Sequence, residues 1–347
     1  MRPWTAELRG KVDERELTSA ALQDNPLGDP ATRPIWVYLP ESYEGTSEQY
    51  PVIYLLQGFG NFLTRWAHRS MFGLTGTEVI AAAFSDGTPE CLVVYVDAWT
   101  ALGGSQFVDS PATGRYHTYL CEDVVSFIDS NYRTLAAREH RAVAGHSSGG
   151  YGALVSAMLR PDVFGALAAH APDCGFWITV RGDLALAHRA LRDHYQSSYQ
   201  RFWEDFRART PMSRPDDFNL VLIWALSACF SGEQDGSVTL PFEEVTGELI
   251  PEVWLRWLAW DPVEMVARYE HALRSCRGIW IDAGRRDEHF ADVASEILAE
   301  TIRNAGAGVT FDLYEGAHRD VAERYPLSIR FLAERITSPE RSNSADG

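Results

Sequence analysis

The chain has 347 residues, 46% of them hydrophobic, and a formal net charge of −17. That is enough apolar material for a full α/β core with an insertion, in one or two domains. The charge disfavours nucleic acid and anionic membrane surfaces, which carry the same sign, so neither is expected as a partner.

The first eight residues hold no apolar stretch of signal-core length, and no later segment approaches a membrane span. A soluble cytoplasmic protein is expected. Partial alternation over 11–22 and apolar runs over 34–39 and 51–56 read as strands, with turns at 24–30 and 40–45. The continuous apolar runs at 91–96 and 164–170 are of the kind that parallel sheets bury on both faces, and Arg141-Ala142-Val143-Ala144 is a further short run. Helical patterns over 75–84, 116–132 and 149–159 fill the crossovers, which predicts an α/β fold with a mostly parallel sheet.

The alternation stops after Cys174. Residues 176–261 carry Trp177, Trp203, Trp224, Trp254, Trp257 and Trp260 and an amphipathic stretch over 183–207, and read as an inserted helical cap whose tryptophans form its own core. The α/β pattern resumes with a strand at 278–282, a helix at 291–305, a strand at 309–314 and a closing helix at 319–336. The division is thus a core of 1–175 and 262–337, a cap of 176–261, and a polar, disordered tail of 338–347. Cys91, Cys121, Cys174, Cys229 and Cys276 are scattered and odd in number, which suggests free thiols, with Cys174 a small buried hydrophobe.

Gly145-His146-Ser147-Ser148-Gly149, with a strand before it and a helix after it, reads as a nucleophile elbow. Small residues on either side let the backbone turn sharply and lift the Ser147 hydroxyl above the sheet edge. A serine hydroxyl needs a base within hydrogen-bond reach and a group that orients the base. His318, on the loop after the last strand, is the expected base; His146, His170 and His289 are its rivals. Asp287, one short loop past the strand at 278–282, is the expected orienting acid, ahead of Asp282 and Glu288. The amides of Phe59 and Ser148 are the expected oxyanion donors. Gln57, Gly58, His146 and Trp177 are the expected substrate-binding residues, with the His146 ring turned away from the Ser147 hydroxyl. Asp287, Glu288 and His289 are adjacent and cannot easily converge on one ion, so no metal is expected.

With these residues in place, the chain resembles the esterase D family of α/β-hydrolases, which includes S-formylglutathione hydrolases, feruloyl esterases and mycolyltransferases. The resemblance rests on Tyr54-Leu55-Leu56-Gln57-Gly58, Ile128-Asp129-Ser130-Asn131-Tyr132-Arg133-Thr134, the stretch from Ala144 to Leu154, Arg160-Pro161-Asp162-Val163-Phe164, Gly284 to Asp287 and Gly316 to His318. It covers about 11–175 and 277–335. It implies an α/β-hydrolase fold, a triad of Ser147, Asp287 and His318, ester or thioester chemistry on a small molecule, and no cofactor. The chain has Gln57-Gly58 where members often have His-Gly, and Ser147-Ser148 where they often have Ser-Met. The expected reaction is hydrolysis through an acyl-enzyme. Transfer of the acyl group to an alcohol is the alternative, and a binding protein on an inactive hydrolase core is a third reading. A homo-oligomer is possible, since tryptophans of the insertion could serve a dimer as well as a cap.

Overall fold

Strands without polar alternation need cover on both faces, and four runs of this chain are buried at every position: Val52–Leu56, Leu92–Val96, Arg141–His146 and Ala166–His170. In the computed structural model, which describes residues 8–68 and 73–337, they form the centre of an eight-stranded sheet. In chain order the strands are β1 (Lys11–Thr18), β2 (Thr32–Leu39), β3 (Val52–Leu56), β4 (Leu92–Val96), the short hairpin β5 (Asp109–Ser110) and β6 (Gly114–Arg115), β7 (Arg141–His146), β8 (Ala166–His170), β9 (Gly278–Gly284) and β10 (Thr310–Tyr314). The large sheet has the order β1-β2-β4-β3-β7-β8-β9-β10. β2 is antiparallel to both of its neighbours, and every pairing from β4 to β10 is parallel. The carboxyl ends of β3, β7, β8, β9 and β10 therefore share one edge, where α/β sheets present their sites. The tail at 338–347 lies outside the described residues, as do the first seven.

Several element boundaries differ from the sequence reading. β1 ends at Thr18, because Asp123 accepts from the Ser19 hydroxyl and the Ala21 N–H and turns the chain there. The pattern over 116–132 is an α-turn at Tyr116–Thr118, a π-helical turn at Tyr119–Val124 and an α-helix at Val125–Asn131. Tyr119, Leu120 and Cys121 are consecutive and all buried, so this turn is covered on more than one side. The closing helix is Tyr325–Thr337, not 319–336. Pro326 lacks an N–H and is accommodated in the first turn, whereas a helix from 319 would carry it in its interior. Thr75 and Glu78 form a capping box that starts the helix Gly76–Ser85 where the pattern places it.

Between β8 and β9 the chain is helical, with helices Phe176–Thr179, Arg181–Tyr195, Tyr199–Ala208, Asp217–Ser231 and Pro251–Leu258. The buried Asp261 carboxylate holds the two ends of this segment together. It accepts the N–H groups of Gly175 (2.8 Å), Phe176 (2.6 Å) and Val263 (3.0 Å). The expected separate tryptophan core is not found. Trp257 packs edge-on against Phe230, and Phe230 meets Tyr151 of the helix Ser148–Leu159, so insertion and sheet share one continuous buried cluster. The short loops at 175 and 261 leave the segment lying on the core, where burying apolar faces against the sheet helices gains more than enclosing them apart. Among the described residues no helix is long and apolar enough to cross a membrane.

Candidate active site

β7 delivers Ser147 through a sharp turn into the helix Ser148–Leu159, at φ 58° and ψ −124°, a conformation that costs a non-glycine residue energy and is kept where the surroundings enforce it. The flanking glycines show what enforces it. A Cβ on Gly145 would stand 2.4 Å from the Gly149 backbone, and one on Gly149 would stand 2.3 Å from the Leu56 carbonyl oxygen on β3. Helix and strands meet backbone to backbone, and only glycine fits.

Ser147 Oγ lies 3.0 Å from His318 Nε2, and His318 Nδ1 lies 2.7 Å from Asp287 Oδ2. The other Asp287 oxygen accepts the N–H groups of His289 (2.9 Å) and Ala291 (3.3 Å), which fixes the carboxylate. Burial opposes ionisation of Asp287, yet the His318 hydrogen bond and charge and these two amides hold its carboxyl below the usual range. Burial likewise disfavours the His318 imidazolium, but Asp287, aided by the charges of Asp173 and Glu288, outweighs it and raises the ring above its ordinary value. The His318 N–H donates to Glu288 Oε2 at 3.0 Å. Residues 287–289 thus divide their tasks around His318, and the His289 ring lies 4.8 Å from the His318 ring.

The rivals for base and acid are accounted for elsewhere. His170 and Asp282 face each other across the β8–β9 register and pair with one another, Nδ1 to Oδ1 at 2.7 Å. His170 Nε2 lies 2.9 Å from Ser328 Oγ on the closing helix, and Asp282 also accepts from Trp280 (2.9 Å) and Arg324 (3.0 Å). All three members of this second Ser-His-Asp group are 0% exposed.

His146, expected to bind substrate, is placed against the base instead. Its ring is buried behind His318 and donates from Nε2 to the His318 carbonyl at 2.7 Å. Burial, with the neighbouring His318, pushes its pKa down to about 3, so it is a neutral prop for the base. Gly58 abuts the nucleophile: a Cβ there would be 3.5 Å from Ser147 Cβ. The Phe59 N–H is not taken by any backbone carbonyl among the described residues, and the Ser148 N–H, in a first helical turn, has no intrahelical acceptor. Gln57 is buried near Asp97, whose charge it favours, and lines a small pocket with Phe59, Gln106, Phe107 and Ser148. Trp177 is 52% exposed on the first helix of the insertion.

One residue escaped the sequence reading. Asp173, just past β8, places Oδ1 3.4 Å from Ser147 Oγ, while its Oδ2 accepts from Ser148 Oγ (2.9 Å) and Gln106 Nε2 (3.0 Å). The available signal was position: like Asp287, it is a carboxylate a few residues beyond the carboxyl end of a central parallel strand.

Residues 30–322 match the family described as "Putative esterase". The chain belongs to this esterase family. Esterase relatives include an endo-1,4-beta-xylanase/feruloyl esterase of Xylanibacter ruminicola, 32% identical over 135 residues, which are 37% of this chain and 18% of that protein. An S-formylglutathione hydrolase of Mus musculus is 30% identical over 150 residues, 40% of this chain and 51% of the relative. The chain spans about half or less of the length of these curated relatives. Among solved structures, a ferulic acid esterase superposes with a TM-score of 0.61 at 21% identity, covering 95% of this chain and all of the other. The S-formylglutathione hydrolase from Agrobacterium tumefaciens gives 0.58 at 16% identity, with 96% and 98% covered. The family's α/β-hydrolase fold is the one expected from the sequence.

Proposed function

We propose that the protein is a serine esterase that cleaves a small carboxylic ester or thioester through an acyl-enzyme. The observation that carries this reading is the continuous chain from Ser147 Oγ through His318 to Asp287, at 3.0 and 2.7 Å, on an elbow that only glycine neighbours permit. Ser147 Oγ attacks the acyl carbon as His318 Nε2 takes its proton. The carbonyl oxygen, now negative, is held by the Phe59 and Ser148 amides, and His318 returns the proton to the leaving alcohol or thiol. Water, activated by the same ring, then releases the acid. Asp287 holds the imidazole in the tautomer with its free nitrogen toward Ser147 and remains ionised throughout.

Residues 176–261 act as a cap over this edge of the sheet, a role supported by the Asp261 clamp at their two ends. A groove of about 660 Å³ along Gly60, Asn61, Arg65, Trp66, Arg319 and Tyr325 starts beside the oxyanion loop and His318 and offers room for the leaving group.

A fluorophosphonate probe and a p-nitrophenyl ester series of increasing acyl length test the reading together. One covalent adduct on Ser147 and turnover of at least one ester are expected; an adduct on another residue, or neither adduct nor turnover, would overturn it. The pH profile gives a second test. His318 must be neutral to accept a proton, and Asp287 raises the ring above its ordinary value, so kcat/KM should rise with pH through an inflection above that of a free imidazole. In Asp287→Asn the inflection should move down, because the charge that holds the proton on the ring is gone. An inflection unmoved by that substitution would assign the titration to another group.

A further inference from the structure

The surroundings of the nucleophile are rich in hydrogen-bond acceptors. Asp173 brings a carboxylate within 3.4 Å of Ser147 Oγ. Gln106 and Gln57 are 2% and 5% exposed, and each has a buried Oε1 that meets no donor among the described residues. The orientation of Gln106 is set by chemistry: a carboxylate only accepts, so Asp173 draws its NH₂ end and leaves its carbonyl end over, while Gln57 stands close enough to Asp97 to favour that carboxylate's charge. Both amides line, with Phe59, Phe107 and Ser148, a pocket whose free volume of about 10 Å³ takes one water-sized group, and Asp173 adjoins it through its hydrogen bonds to Gln106 and Ser148.

A buried acceptor without a donor is costly, and a ligand donor that meets it removes that cost. Charge points the same way. Asp173 is hydrogen-bonded to Ser148, whose amide faces the developing oxyanion, so an uncompensated carboxylate there opposes the reaction it adjoins. Asp183 of the insertion is close enough to feel Asp173; burial and that neighbouring charge raise its carboxyl, while His289 lowers it. This side of the site is acidic as well as acceptor-rich.

We infer that Asp173, Gln106 and Gln57 form an acyl subsite for a primary ammonium group, so that the preferred substrates are esters with an amine on the carbon next to the ester carbonyl. The inference rests on the serine esterase reading above. An ammonium has three donors for three acceptor residues and neutralises Asp173 at the moment the oxyanion forms. A hydroxyl has one donor, an alkyl group none, and a carboxylate is repelled.

Glycine ethyl ester and ethyl propionate differ by an ammonium in place of a methyl group and test this directly. kcat/KM is measured for both near pH 6.5, where the amine is charged, and each value is divided by that ester's own hydroxide-catalysed rate constant. The wild type should favour the glycine ester by about tenfold or more, and monoethyl malonate should be the poorest of the three. In Asp173→Asn the preference should fall to within about threefold, with ethyl propionate turned over faster than by the wild type. Asp173→Ser, which cannot restore the charge, should behave alike, and fluorophosphonate labelling of Ser147 shows that each variant retains its elbow. A labelled wild type without the preference, or a preference that both variants keep, overturns the subsite and leaves the esterase standing. Absence of both labelling and hydrolysis overturns the esterase and the subsite with it.

Discussion

Ser147→Ala should lower kcat/KM for any ester the protein hydrolyses by about 10⁴ to 10⁶-fold while leaving the fold intact. The effect should be this large because no neighbouring hydroxyl can replace the nucleophile. Ser148 Oγ is engaged by Asp173, and Ser328 is sealed beside His170 in the interior. His318→Ala should lose nearly as much, and the double variant little more than either single one, since nucleophile and base act as a unit. The check is steady-state turnover of one activated ester by the three variants, with far-UV circular dichroism to confirm folding. Additive losses would mean that Ser147 and His318 do not serve the same step.

Gly149→Ala should destabilise the fold by about 3 kcal/mol or more, and lower the thermal midpoint by on the order of 5 to 10 °C. The new methyl group would stand 2.3 Å from Leu56 O, 2.8 Å from Leu56 C and 2.9 Å from Gln57 O. These are backbone atoms of β3 and its exit, and Leu56 pairs with Gly145 in the β3–β7 register, so they have no rotamer by which to give way. Moving the helix instead would displace the Ser147 and Ser148 N–H groups, so residual activity should fall together with stability. Gly182→Ala is the matched control: nothing lies within 4 Å of its added carbon, and in a first helical turn it should be neutral to slightly stabilising. Thermal melts of the two variants beside the wild type decide the matter, and equal midpoints would show that the elbow tolerates a side chain.

The legible parts of this molecule were those whose physics is local. The apolar runs at 91–96 and 164–170 could be read as buried strands because burial on both faces removes alternation. Ser147, Asp287 and His318 could be assembled because each follows a strand of a parallel sheet, and such strands end at one edge. What depends on contacts distant in sequence could not be read. His146 adjoins the nucleophile in the chain, but its ring serves a carbonyl 172 residues away. Asp173 belongs to no motif, and its importance appears only when β7 and β8 lie side by side and Gln106 arrives from another loop. The insertion's tryptophans looked like a core because they were numerous, yet which surface a cluster joins is decided by tertiary packing.

The buried group of His170, Asp282 and Ser328 has a further meaning for how this protein could accommodate different substrates. Its members sit at the roots of three functional segments: His170 ends β8 just before Asp173, Asp282 lies in β9 before Asp287, and the closing helix that carries Ser328 follows the loop of His318. Arg324, at the far end of that loop, adds a tie to Asp282 and another to Asp312 of β10. Three loops anchored to one interior knot cannot shift independently, so the wall bearing acid, base and Asp173 is stiff. On this stiff wall what the pocket admits can change only through the side chains it carries, Asp173 among them, while a change of backbone shape must come from the loop 57–61, with the knot left untouched.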